Sequence, residues 1–392
     1  MTSNSDEVAR AAGFIDARGR REFIRFGIAG LLASLLNAHM ALLSIVFARA
    51  GHSLHTIGLL LSLFAVPVLV MTVVAGPVSS RLGALWTARL AIVLMILGFG
   101  SLALTSDSFG LALLSRLVHG LGFGLYLPAL MTYGQSRLNQ VRFLGLVITF
   151  SSLIPFSYAL GPAMGEFVLE RYGVTTFFLA ALAPALAGLA LTIGLRPLRK
   201  PKSQGLDFSA ALRRTFALPL CALFAGGLLH GYSLAFLPPD LQLRGVALAI
   251  FFIPSTIATA LSRVGGSVLH RLHPRVLVAG GLSLMGFGLV LLAVAGALIP
   301  VVIVGAVAFG LGSSVLYPVV SAWISQGLDP ARRAGPQAVI TAIFYAGLYG
   351  MPFPLSFVVA SGGYRMTEIL LAAIGLLLAA LVAASHVMRA AR

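Results

Sequence analysis

Charged side chains are scarce in this sequence. Asp, Glu, Lys and Arg together make up 10% of its 392 residues, whereas about a quarter of an ordinary globular protein is charged. A soluble chain of this length would need two or three domains with polar surfaces, and there are too few polar residues to coat them. Cysteine is nearly absent. Cys221 stands alone, which excludes an internal disulfide and a cysteine-rich metal site. Also missing are a Walker-type Gly-rich loop for ATP hydrolysis and any Ser-His-Asp or metal-ligand set within an apolar run. "HRLH" at 270–273 has His-x-x-His spacing, but a short basic loop without carboxylates explains it as solvated histidine. These gaps argue against an enzyme and against a resident metal or cofactor.

What fills the sequence is hydrocarbon. Hydrophobic residues make up 59% of the chain, and the mean hydropathy is +0.99. Twelve apolar runs fall at approximately 26–47, 55–78, 86–105, 108–133, 143–165, 174–195, 216–236, 246–269, 276–296, 298–325, 337–360 and 366–387. Each is close to the ~20 residues that cross a ~30 Å hydrocarbon core, so these are spans 1 to 12 of an all-α polytopic membrane protein. "ARA" at 48–50 mimics a signal-peptide cleavage site, but span 1 is longer than a signal core of ~7–15 residues and is read as uncleaved. Lys and Arg set the orientation. With the N-terminus in the cytoplasm, 21 of the 27 basic residues fall on the cytoplasmic side and four outside: Arg49, Arg171, Arg244 and Arg365. Both termini are therefore expected inside. The net charge of +16 is a topology signal that anionic lipid reinforces, and no soluble domain exists to carry a nucleic-acid patch.

The chain also repeats itself. Shifted by 190 residues, Gly76 falls on Gly266, Arg81 on Arg271, Gly120 on Gly310, Gly122 on Gly312, Pro128 on Pro318 and Pro162 on Pro352. Two parallel six-helix repeats are a common plan of secondary transporters. The expected division is a cytoplasmic N-terminal tail at 1–22, a six-helix half at 23–195, a basic linker at 196–215, a second six-helix half at 216–388 and a cytoplasmic tail at 389–392.

Several motifs carry a family resemblance. "GPVSSRLGAL" at 76–85 resembles the major facilitator superfamily loop pattern G-x-x-x-D-R-x-G-R-K. Gly76, Arg81 and Gly83 match, while Ser80 replaces the acidic residue and Ala84 and Leu85 replace the basic pair. Its second copy, "GSVLHRLHPR" at 266–275, keeps Gly266, Arg271 and Arg275 with His270 in the acidic slot. "RLVHGLGFG" at 116–124 resembles the span-4 pattern R-x-x-x-G-x-G. "GPAMGEFVLERYGVTTFF" at 161–178 resembles the span-5 pattern, with Gly161, Pro162 and Gly165 in place and Glu166 where a second glycine is usual. The resemblance covers the whole chain and implies the major facilitator fold, working by alternating access in a bacterial inner membrane. It implies gating loops around residues 76–83 and 266–271. Compact twelve-span members with small outer loops look most like exporters of drugs, sugars and metallophores.

Polar residues inside spans must face the protein interior or water. Span 1 offers Asn37 and His39, span 4 Arg116 and His119, span 7 His230 and Tyr232, span 8 Arg263, and spans 10 and 11 Tyr317 and Tyr345. In the superfamily, spans 1, 4, 7 and 10 line a central cavity, so the resemblance gathers these residues around substrate and protons. Arg116 and His119 are three apart and share a helix face. The structural alternative is an Arg capping a neighbour's carbonyls and a His satisfied between helices. None of the eleven acidic residues is at midspan. The cavity is then cationic or neutral, suited to an anionic or zwitterionic solute, with His39, His119 or His230 carrying protons at a reference pKa of ~6.5. Glu166 is a lesser proton candidate. The expected function is proton-coupled efflux of such a solute by a monomer in the bilayer. Proton-coupled uptake of an organic anion is the alternative, and a non-transporting sensor or assembly partner the remote one.

Overall fold

The computed structural model describes residues 6, 8, 14–138, 143–197, 209, 211–264, 272–326, 328 and 334–390. Among them there is no β-strand, only an isolated bridge between Phe14 and Leu138. In lipid every backbone polar group must be satisfied within its own segment, and for an open chain the helix alone does this. Span 1 runs as Ala17–Ala38, a 3₁₀ turn at His39–Leu42, and Leu43–Arg49. Span 2 is broken between Leu54–Leu63 and Ala65–Leu82. Spans 3 and 4 are Ala84–Thr105 and Phe109–Gln135.

Nine helices among the described residues are long and apolar enough to cross a membrane, against the twelve spans expected. The difference lies in how passes join. Phe143–Leu191 is continuous except at Gly173, whose φ of 82° and ψ of 179° reverse it between spans 5 and 6. Pro352–Ala390 is broken in the same way at Gly363, with φ 73° and ψ 176° between spans 11 and 12. That backbone region is essentially closed to residues with a Cβ. Span 8 is described over Ala249–Val264, and the end of the run expected at 246–269 lies outside the described residues. Counted pass by pass, the described helices account for the twelve expected spans.

The 190-residue offset reappears in three dimensions. Gly173 and Gly363 are 190 apart and share one conformation. A Cβ on Gly122 would meet Ala91 O at 2.6 Å and Met95 N at 2.7 Å, and one on Gly312 would meet the equivalent Gly281 O and Met285 N. Gly98 lies against the backbone of His119, and its equivalent Gly288 lies against Phe309, the equivalent of His119. These glycines let backbones touch, which is how helices associate when the solvent is as apolar as they are.

The two halves meet twice in a related way on the face opposite the termini, here the far face. Glu166 of span 5 accepts the Leu248 N–H at 2.9 Å. At the related point Ser356 meets His55 at 3.2 Å, and a Cβ on Gly58 would meet Pro352 O at 2.8 Å. Ser62 donates to Gly350 O at 3.0 Å and accepts the Phe353 N–H at 2.8 Å. Gln242 donates to Glu170 at 2.9 Å. At the terminal face, buried Glu22 gathers Arg137 at 3.1 Å, Arg196 at 2.9 Å and Arg18 at 3.2 Å within the first half.

Candidate functional site

Span 2 supplies the setting for Arg116. Pro67 has no N–H to give the preceding turn, and the Phe64 N–H turns to the Ser62 carbonyl. Arg116 Nε donates to the neighbouring Leu60 carbonyl in a long hydrogen bond of 3.4 Å. The guanidinium lies over the Phe64 ring, 4.2 Å from its centroid. Close approach is possible because a Cβ on Gly120 would meet Phe64 O at 2.8 Å and Pro67 at 2.6 Å. Arg116 and His119 are both 0% exposed.

Arg116 Nη1 and His119 Nδ1 are 3.1 Å apart. A guanidinium only donates, so Nδ1 accepts and the neutral imidazole carries its proton on Nε2. That nitrogen and Arg116 Nη2 are buried without a hydrogen-bond partner. Among the described residues no carboxylate forms an ion pair with Arg116. Phe64 and Phe99 hold the imidazole, at ring separations of 5.1 and 5.5 Å.

The second half contributes aromatic walls. Tyr349 packs edge-on to Phe64 at 5.1 Å and to Phe123 at 5.8 Å. Tyr345 stands 6.0 Å from Phe123 and 5.3 Å from Tyr349. Asn37 donates to the Tyr158 hydroxyl at 2.9 Å, and Tyr158 in turn faces Tyr349. Tyr317 bonds Thr341 at 2.8 Å, with Phe344 between it and Tyr345. The result is a packed junction between the halves, where aromatics and phenols surround one buried guanidinium and one buried imidazole.

Other sequence candidates sit elsewhere. His39 Nδ1 donates to the Leu35 carbonyl of its own helix at 2.6 Å, and its ring packs on Phe177, inside the first half. Gly161 and Gly165 of the span-5 motif let that span lie on Ala38, His39 and Leu42, while buried Pro162 sits between them. His230 packs on Phe309 in the second half. Tyr232 points toward the far face, where its hydroxyl donates to the Tyr364 carbonyl at 3.5 Å. Ser80 donates to Pro77 O of its own helix at 2.7 Å; Arg81 and Gly76 are exposed, and Gly83 makes the turn at φ 90°. Gly266, His270 and Arg271 lie outside the described residues, as does the side chain of Arg263.

Phe64, Phe123 and Tyr158 were not legible as site residues, although the Pro67 break marks where a carbonyl would become available. Glu368 reads in sequence as an acid near a membrane surface. The structure instead buries it completely against Arg244 and Asp240. The Asp240–Arg244 spacing of four was the available signal.

Twelve passes in two related halves, with a guanidinium and an imidazole buried near where they meet, fit the architecture of a membrane transporter. The sequence profile of the Major Facilitator Superfamily matches residues 25–299, and the chain belongs to that superfamily. A point mutant of the nucleoside transporter NupG superposes with a TM-score of 0.76 at 14% identity, covering 93% of this chain and 99% of that one. NupG itself gives 0.71 at 14% identity over 93% and 98%. The POT family transporter PepTSo gives 0.75 at 11% identity over 94% and 98%. At such identities the likeness is one of fold alone. No curated protein sequence matches the chain.

Proposed function

We propose that this protein is a secondary active transporter for a small organic anion or zwitterion, with Arg116 as the fixed positive charge and His119 as the proton carrier. The observation that carries the reading is the buried, unopposed guanidinium. Packing does not require it. The positions 190 residues on are Ala306 and Phe309, which fill the equivalent place in the second half and are equally buried. An anion entering between the halves supplies what Arg116 Nη2 lacks, and a planar fork suits a carboxylate or phosphate.

The same contact links anion to proton. Protonating His119 turns Nδ1 into a second donor facing Arg116, so the hydrogen bond is lost and two cations meet. A bound anion offsets that repulsion, so each ligand favours the other's binding. Loading together and leaving together is symport, and this contact supports the uptake reading over the efflux expected from the span-5 motif and the likeness to exporters. The bilayer is then the bacterial inner membrane, the terminal face is cytoplasmic as the basic residues require, and the far face is outside. The halves, 23–195 and 216–388, rock about this junction in a protein acting as a monomer. No nucleic acid takes part.

Purified Arg116→Ala, Arg116→Lys and His119→Gln are compared for ligand-induced thermal shift and proton-driven flux across a panel of organic anions. Arg116→Lys is expected to fail nearly as badly as Arg116→Ala, because an ammonium lacks the fork. His119→Gln keeps anion binding and loses the pH dependence of flux. Normal transport by Arg116→Ala overturns the assignment.

A further inference from the structure

A second cluster of ionisable groups lies on the far face, within the second half and away from the Arg116 junction. Asp240 belongs to the short helix Leu237–Leu243 after span 7, Arg244 follows it, and Glu368 comes from the start of span 12. Arg244 ion-pairs with Asp240 and reaches Glu368 Oε2 at 3.0 Å, and it also donates to the Leu292 carbonyl of span 9. Its guanidinium is thus divided among two carboxylates and a carbonyl. Glu368 is 0% exposed, yet its other oxygen, Oε1, is buried with no hydrogen-bond partner. Asp240 Oδ2 and Glu368 Oε2 sit on the same nitrogen, Arg244 Nη2, which brings the two carboxylates side by side.

Two carboxylates offer only acceptors, so they join only with a proton between them. With both ionised, the site would hold two negative charges against one positive charge, out of water, and such pairs retain a proton. The other groups facing the cluster do not change this balance. Tyr232 of span 7 has a neutral hydroxyl directed at Tyr364 O, span 9 offers a carbonyl, and Arg365 is exposed at the mouth. A cleft of about 320 Å³, lined by Asp240, Arg244, Tyr364 and Arg365, opens onto the site. Burial holds the Asp240 carboxyl above its ordinary range.

The cluster has no twin. The positions 190 residues earlier are Ala50, Leu54 and Phe178, so the equivalent positions of the first half carry no charge; the nearby Arg49–Glu170 pair is half-exposed instead of buried. What the second half gains is a connection to its partner. The chain that carries Asp240 also carries Gln242, which holds Glu170, and runs on to Leu248, whose N–H holds Glu166.

We propose that Asp240 and Glu368 form a proton-binding site on the far face, sharing one proton while Arg244 balances the remaining charge. Occupancy keeps Leu237–Leu243 seated, so that Gln242 and the Leu248 amide grip the first half. Loss of the proton to water in the cleft leaves paired carboxylates that push the segment off, and the far face opens. The closed state is therefore favoured at low pH and lost as pH rises.

The test is distance measurement by electron spin resonance between labels at Asp107→Cys and Leu298→Cys, exposed turns of the two halves on the far face. It is made in a Cys221→Ser background in lipid nanodiscs without any substrate. It therefore stands apart from whether Arg116 carries an anion. In the otherwise native chain the long-distance population is expected to grow between pH ~6 and ~9, by up to about tenfold per unit for one released proton. Glu368→Gln and Asp240→Asn, each a neutral stand-in for the protonated pair, are expected to stay closed throughout that range. Infrared spectra of the native chain should show a protonated carboxyl at neutral pH that disappears on alkalinisation. A distance indifferent to pH, variants that keep the native transition, or carboxyls fully ionised at neutral pH would each overturn the proposal.

Discussion

Gly98→Ala puts one methyl group where span 3 touches span 4 beside the site. A Cβ at Gly98 would stand 2.6 Å from His119 Cα and 2.7 Å from Ser115 O, with His119 N nearer still. These are backbone atoms and cannot swing away. Ordinary contact needs ~3.4 Å or more, so span 4 must retreat by about 1.2 Å to clear its nearest atom. The Arg116–Leu60 hydrogen bond is already long at 3.4 Å, so it has little tolerance for a shift of span 4 before it leaves hydrogen-bonding range. Overpacking costs about 1–3 kcal/mol, against a gain of about 1 kcal/mol from replacing glycine within a helix. Gly280→Ala is the control: nothing lies within 4 Å of its Cβ, so only the gain applies. Gly98→Ala is expected to be the less stable of the two by about 1–3 kcal/mol. Its anion affinity should drop at least ~10-fold, equivalent to ~1.4 kcal/mol, while Gly280→Ala transports normally. Thermal unfolding in detergent and concentration-dependent flux measure the two quantities. Equal stability and equal flux for the pair would refute the packing argument and the role given to the Arg116–Leu60 contact.

Two further outcomes follow from the terminal face and the far-face turns. Glu22→Ala strands the buried guanidinium of Arg137, whose side chain is 6% exposed, and should destabilise by about 3–5 kcal/mol. Arg18→Ala removes only a partner that is 58% exposed, and should stay within ~0.5 kcal/mol; thermal unfolding of the two variants side by side checks the order. Gly173→Ala and Gly363→Ala should each cost about 1–3 kcal/mol, because both residues occupy backbone conformations that a Cβ resists. Their near-equal shifts in melting temperature would express the repeat energetically.

The sequence by itself determined the solvent, the number of crossings and the duplication. Those properties are carried by local composition and by spacing along the chain, and lipid leaves the backbone little choice but helix. It also singled out Arg116 and His119, since a guanidinium inside an apolar run is conspicuous and residues three apart share a face. Their setting could not be read the same way. Phe64, Phe123 and Tyr158 look like ordinary membrane aromatics until spans from both halves close around the guanidinium. Likewise His39 and Tyr232, each near the middle or end of an apolar run, are turned by their helices toward span 6 and the far face. Depth along a helix is written in sequence, but which neighbour a side chain meets depends on how helices are rotated and bent against one another. That is settled by close glycine contacts and by breaks at Phe64, Gly173 and Gly363. Glu368 shows the difference most clearly. Its position in the chain places it near a membrane surface, and only the packing of spans 7, 9 and 12 removes it from water and sets it beside Asp240 on a single arginine.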